Sequence, residues 1–199
     1  MAEKSDTAKG ETRFDIEEDL SKVEVTDVLP VLPLRGIVIF PNQIHPFLVS
    51  RPASLRLIED AGQASRIIGL SAQKDPEEEN PSPEGLFPRG TAVRILKMLK
   101  YPDHSVRVLV QGIARIDLLD FVQLEPYFRA NVRRLGEAVE SDKELDALQA
   151  YLVSQFSKFV SLVPYLPDEL QVMAMQVREP ARLTDMVASY LKIAVEESQ

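Results

Sequence analysis

The chain contains no cysteine and no tryptophan, and only two histidines among 199 residues. Without cysteine there can be no disulfide, thiolate nucleophile or cysteine-ligated zinc, and the composition fits a reducing compartment, so a cytoplasmic location is expected. No apolar run approaches the roughly 18 residues of a membrane span, and the first residues lack the charged-then-apolar order of a secretion signal. Catalytic signatures are missing too: GxxxxGK[ST], HExxH, GxSxG and GxGxxG do not occur. The P-loop phosphate cradle and the usual metalloprotease and hydrolase constellations therefore have no sequence support. His45 lies in an apolar strand with no activated nucleophile identifiable beside it, so a structural role is expected over that of a general base.

What is present begins with uneven charge. The net charge is −8, and residues 1–27 carry nine acidic and four basic side chains, a net of −5. This polar, poorly periodic segment reads as a disordered tail until about Val23, with an acidic interaction tail as the alternative. Residues 28–199 are close to neutral, which argues neither for nor against most partners, while the overall pI near 4.9 argues against a general nucleic-acid binder.

The stretch Leu29–Val49, LPVLPLRGIVIFPNQIHPFLV, combines apolar strand residues with Pro30, Pro33, Pro41 and Pro46. Proline cannot donate to a strand ladder, so the stretch reads as the edge of a small distorted barrel with apolar side chains on both faces. Ile37–Phe40 and Ile44–Val49 are its short strand-like runs. Pro52 then suits the first turn of a helix ending near Gly62, and Ile67–Ala72 returns to strand character. The following loop, QKDPEEENPSPEGLFPRG, holds Asp75, Glu77, Glu78, Glu79 and Glu84. It lacks the alternating ligands and Gly-assisted turn of a calcium loop and reads as solvated.

Thr91–Leu99 and Ser105–Gln111 read as a hairpin with His104 in the left-handed region, Gly112 as a bend or bulge, and Ile113–Leu118 and Tyr127–Leu135 as further strands. Near residue 140 the period changes. Ser141 and Glu144 have capping-box spacing ahead of Leu145, Leu148, Leu152, Phe156 and Phe159. Helices are predicted over about 168–177 and from Pro180. Strands followed by helices predict an α+β fold with a tail at 1–27, a β-rich subdomain at 28–137 and an α-helical subdomain at 138–199.

Three segments in order resemble the amino-terminal domain of the Lon family of ATP-dependent proteases: LPVLPLRGIVIFPNQIHPFLV, GLSAQKDPEEENP and LFPRGTAVRILKMLKYPDHSVRVLVQGIARI. The departures are Gly36 for the family's common Asp, Ser50 for Gly before Arg51, His104 for a turn Gly, and Gln111 for Glu. EPARLTDMVASYLKIAVEESQ is similar to the family's helical continuation. The resemblance implies a PUA-like β pseudo-barrel followed by a C-terminal α-helical bundle, preceding an AAA+ ATPase module and a Ser–Lys peptidase module in a hexameric protease. No catalytic residue, metal or cofactor is then expected in this chain; ATP and Mg would belong to the ATPase module. The chain ends where the helical stem would begin, suggesting a part of a longer protein, although a free-standing adaptor is the alternative.

The implied partners are unfolded or degron-bearing protein substrates and other Lon subunits, with no membrane and no nucleic acid. A binder of many unfolded chains needs exposed, adaptable apolar surface. Ile39, Phe40, Pro41, Ile44 and Phe47 from the Pro-rich stretch, and Met173 and Met175 from the helical part, are the candidate contacts; core packing is the competing role for each. Pairing of a peptide with the strand edge is a second expected mode. RNA binding through a PUA-like fold would rest on Arg129, Arg133 and Arg134, without an accompanying aromatic series.

Overall fold

The computed structural model describes residues 20–136, 143–191 and 193–198. Ser141 of the expected capping box and most of the acidic tail lie outside them. Two lobes follow one another along the chain. The first contains β1 (Val28–Leu34), β2 (Ile44–Val49), α1 (Pro52–Gln63), β3 (Ile67–Ala72), β4 (Arg89–Lys100), β5 (Val106–Gln123) and β6 (Phe128–Arg134). The second contains α2 (Lys143–Leu162), α3 (Glu169–Gln176), α4 (Pro180–Tyr190) and the short α5 (Val195–Ser198).

The strand order is β2-β5-β4-β3-β1-β6, and β6 pairs again with β5. Five strands thus close into a pseudo-barrel, while β2 is appended outside the ring on the first half of the 18-residue β5. Closure leaves few free edges, and β2 is the exposed one. The Pro-rich stretch consequently divides. β2 is the expected edge, but β1 is an interior strand, with Val28–Val31 on β6 and Val31–Leu34 parallel to β3. Pro30 and Pro33 fall in different halves, each in a segment bridged to a single neighbour, which is why two prolines are tolerated inside the ring.

Ile37–Phe40 is not the strand its composition predicts. Gly36 and Asn42 both have positive φ, near +64° and +63°, and the segment between them folds across β5 as a loop. Its anchor is Gly112. The Gly112 amide donates to the Gln43 carbonyl at 2.9 Å and its carbonyl accepts from the Asn42 amide at 2.9 Å. A Cβ on Gly112 would lie 2.1 Å from the Phe40 carbonyl oxygen, so only glycine permits this approach. The same glycine marks the bulge, because β4 skips from Ala114 to Gly112 between Ala92 and Val93. The two strands expected on either side of Gly112 are therefore one.

One apolar cluster, around Leu57, Ile58, Ile68, Val93 and Val108, joins α1 to the barrel, and a second, around Leu29, Val31, Ile116 and Ala130, fills its other half. The end of the expected tail is packed on the barrel: Leu20 and Val23 are buried against Ile113 and Ala114. The long acidic loop is pinned as well. Gln73 donates from its backbone amide to Leu34 and from its buried side chain to the Asp75 and Glu78 carbonyls, and Phe87 donates back to Ala72. Asp75, Glu77, Glu79 and Glu84 still face solvent. His104 has φ +66°, as expected for that turn.

In the helical lobe Phe156 and Val160 of α2, Leu170 and Ala174 of α3, and Leu183 and Val187 of α4 form one core. Leu148, predicted to lie on the buried stripe, is exposed instead. The lobes are joined by Arg115 of β5, whose two terminal nitrogens donate to the two carboxylate oxygens of Asp185 on α4.

Candidate binding surface along strand β2

The alternation of a strand decides which residues of β2 are available. Ile44, Pro46 and Leu48 are exposed, whereas His45 and Phe47 are half-buried and Val49 is buried. The outward row continues across the sheet: Leu48 faces Arg107 on β5, which faces Leu99 on β4. Leu48 is 61% exposed and Leu99 50%, and Tyr101 follows beside them. Ile44, at 40%, carries the row to the other end of β2. This is an exposed apolar strip on a strand that has a neighbour on one side only.

The backbone of that strip follows a fixed parity. The hydrogen bond from the Gly112 amide to the Gln43 carbonyl makes Gln43 and Gly112 a bonded pair, so His45, Phe47 and Val49 bond to β5. The polar groups of Ile44, Pro46 and Leu48 point to the free side. Pro46 therefore costs the ladder nothing, and it withholds the middle donor that an added strand would use. Strand addition is weakened by this arrangement, and side-chain contact becomes the better mode.

Each predicted contact has a distinct place. Ile39 is in the barrel core and presents no surface for contact, and Pro41, although buried, lines the cleft between the lobes. Phe40 is half-buried beside Gly112, and Phe47 packs against the α1-side core. Ile44 is outward-facing on β2, and Met173 and Met175 are exposed on α3. Leu48, Leu99 and Tyr101 were not among the expected contacts. The period-two rule applied to Ile44–Val49 would have found Leu48, because it shares a face with Ile44.

Two concavities flank β2. One, of about 430 Å³, is lined by Pro46, Phe47 and Leu48 together with Tyr101 and Arg107. The other, of about 930 Å³, lies between the lobes, where Ile44 and His45 meet Met173 of α3 and Met186 and Tyr190 of α4. Burial holds the His45 imidazole below its usual range, so it is neutral at pH 7. Ser189, also in that cleft, donates its hydroxyl to the Met186 carbonyl at 2.7 Å. Neither residue is arranged as a nucleophile and base. Among the described residues no group of His, Asp or Glu could hold a metal ion, and no helix is long and apolar enough to cross a membrane.

Of the basic residues considered for RNA, Arg133 donates to Asp117 at 2.8 Å and Arg134 to the Val23 carbonyl at 2.9 Å. One donor of each thus serves the fold. A closed barrel with one apolar, one-sided strand and a helical lobe docked beside it defines a binding module of the α+β class.

Comparison with known proteins agrees. Residues 28–199 match the family described as the ATP-dependent protease La (LON) substrate-binding domain, and the chain belongs to that family. It is 38% identical over 184 residues to the Lon protease of Dictyoglomus thermophilum, covering 92% of this chain and 23% of that protein. It thus spans roughly a quarter of that relative's length. In structure it is similar to the N-terminal domain of the Mycobacterium avium complex Lon protease, with a TM-score of 0.69 at 16% identity over 85% and 86% of the two chains. It is also similar to the Lon N-terminal domain protein of Xanthomonas campestris, with a TM-score of 0.51 at 18% identity over 84% and 99%.

Proposed function

We propose that this chain is the substrate-recognition and assembly domain of an ATP-dependent Lon-type serine protease that degrades misfolded and degron-bearing proteins in the cytoplasm. Family membership supports the setting. In such a protein ATP and Mg serve an AAA+ module, peptide hydrolysis falls to a Ser–Lys module, and the subunits form a hexamer. This domain's part is to hold unfolded polypeptide near the unfolding machinery.

The observation that carries the reading is the apolar strip of Ile44, Leu48, Leu99 and Tyr101 on and beside the one-sided strand β2. Unfolded segments share apolar side chains but no common polar pattern, and a strip of this kind selects for that property. Met173 and Met175 offer a second, adaptable surface on α3. The domain boundaries at 28–137 and 138–199 belong to the same proposal, with the barrel as the principal contact lobe.

The test is affinity for a permanently unfolded protein, measured with the full 199-residue chain. Leu48→Asp places a charge in the strip at an exposed position and is expected to weaken binding about tenfold, with the melting temperature unchanged. Equal affinity in wild type and Leu48→Asp would overturn the assignment.

A further inference from the structure

The chain is acidic overall, yet the cleft between the lobes is not. Arg178 and Arg182, both exposed, line it. Its two carboxylates are unequal: Asp185 is buried and bound by Arg115, which leaves Glu179 as the one exposed acid there. Neither Arg178 nor Arg182 makes an ion pair with a described residue. The two guanidiniums stand beside the apolar wall formed by Ile44, Met173, Met186 and Tyr190. Ile44 belongs both to this wall and to the outward row of β2, so the apolar strip runs without a break into the cleft.

An extended segment lying along the six residues of β2 would cover about 20 Å at roughly 3.3 Å per residue. Its end would then reach the two arginines. We infer that the site prefers extended apolar polypeptide segments that carry a carboxylate at the end seated between the lobes, with Arg178 and Arg182 as the specificity-determining residues. The inference rests on the polypeptide-binding reading above and adds a charge preference to it. The carboxylate can come from an Asp or Glu side chain or from a chain terminus, because both offer the same pair of acceptor oxygens to a guanidinium. Both arginines are exposed, so the preference is modest and falls with added salt.

Three apolar peptides of eight residues, each with an acetylated N-terminus and an uncharged fluorophore, distinguish the sources: one amidated and uncharged, one amidated with Asp as its last residue, and one with a free C-terminus. Fluorescence anisotropy with the full chain at low salt is expected to show about three- to tenfold tighter binding of one or both acidic peptides than of the neutral one. Arg178→Glu/Arg182→Glu is expected to abolish that preference and to favour a Lys-ended peptide. Arg178→Gln/Arg182→Gln should remove the preference without inverting it, which controls for misfolding. Equal binding of acidic and neutral peptides, or a preference that survives the double reversal, overturns the inference alone. If no peptide binds, the polypeptide-binding reading fails with it. Displacement of the acidic peptide by a single-stranded oligoribonucleotide at lower concentration would reassign the arginines to phosphate and also overturn the inference.

Discussion

Replacing Arg115 with Met isolates the tie between the lobes. The Asp185 carboxylate is 2% exposed and takes two hydrogen bonds from a guanidinium that is 33% exposed. The two partners are therefore unequal. Removing the arginine takes this guanidinium from a buried carboxylate, a loss of about 3–5 kcal/mol. Removing the negative charge in Asp185→Asn leaves a guanidinium that still reaches water, which limits the loss to about 1–2 kcal/mol. At roughly 2–4 °C per kcal/mol for a chain of this size, Arg115→Met lowers the melting temperature by about 6–20 °C. The double variant Arg115→Met/Asp185→Leu buries no charge and should recover most of that loss. Thermal and urea unfolding followed by circular dichroism supply the numbers. Equal losses for Arg115→Met and Asp185→Asn, or a larger loss for Asp185→Asn, would refute the assignment of the buried carboxylate as the costly partner.

Three further outcomes are expected. Gly112→Ala pushes a methyl group against the Phe40 carbonyl and should destabilise by roughly 2–4 kcal/mol in urea unfolding; a loss below 1 kcal/mol would show that the loop can move aside. Leu183→Ala, at a fully buried position in the helical core, should cost about 2–5 kcal/mol and leave peptide binding along β2 unchanged once folded protein is selected. Hydrogen bonds from Arg133, then from Arg89, hold the Asp117 carboxyl below its usual range. A depressed carboxylate stabilises the fold above its unfolded value near 3.9 and loses that contribution as pH falls through the lower folded value. Asp117→Asn should therefore reduce the fall in stability as the pH drops below about 4, and an unchanged acid limb would contradict the role of this carboxylate.

Local chemistry made much of the fold readable. Pro52 and Pro180 each occupy the first turn of their helix, the alternation in Phe128–Arg134 put Ala130 and Val132 inward, and the turn placed His104 in the left-handed region. The segments that misled were decided by tertiary contact. Ile37–Phe40 has strand composition, but Thr91 donates its hydroxyl to the Ile39 carbonyl, and Gly112, about seventy residues later in the sequence, holds Asn42 and Gln43 just after the segment. β1 carries two prolines like an edge and yet is enclosed, because each proline meets a different neighbour. Leu148 obeyed the helical spacing, but none of the described elements covers it. For the proposed binding surface, composition pointed to the stretch that carries β2, and the strand parity separates its two faces. Ile39 and Pro41 went inward with the loop, Leu48 followed the alternation of its own strand, and Leu99 joined it through the shared pairing with Arg107, which no local pattern contains.

The central claim is that unfolded polypeptide lies along the outward face of β2. A photo-crosslinking residue at position 48, compared with one at position 119, tests it most directly, because Leu48 and Leu119 are both exposed apolar residues of the barrel, at 61% and 49%. The account predicts strong crosslinking of an unfolded protein from position 48 and little from position 119. Equal yields from the two positions would show that exposed apolar surface in general captures the substrate, and would contradict the assignment of β2.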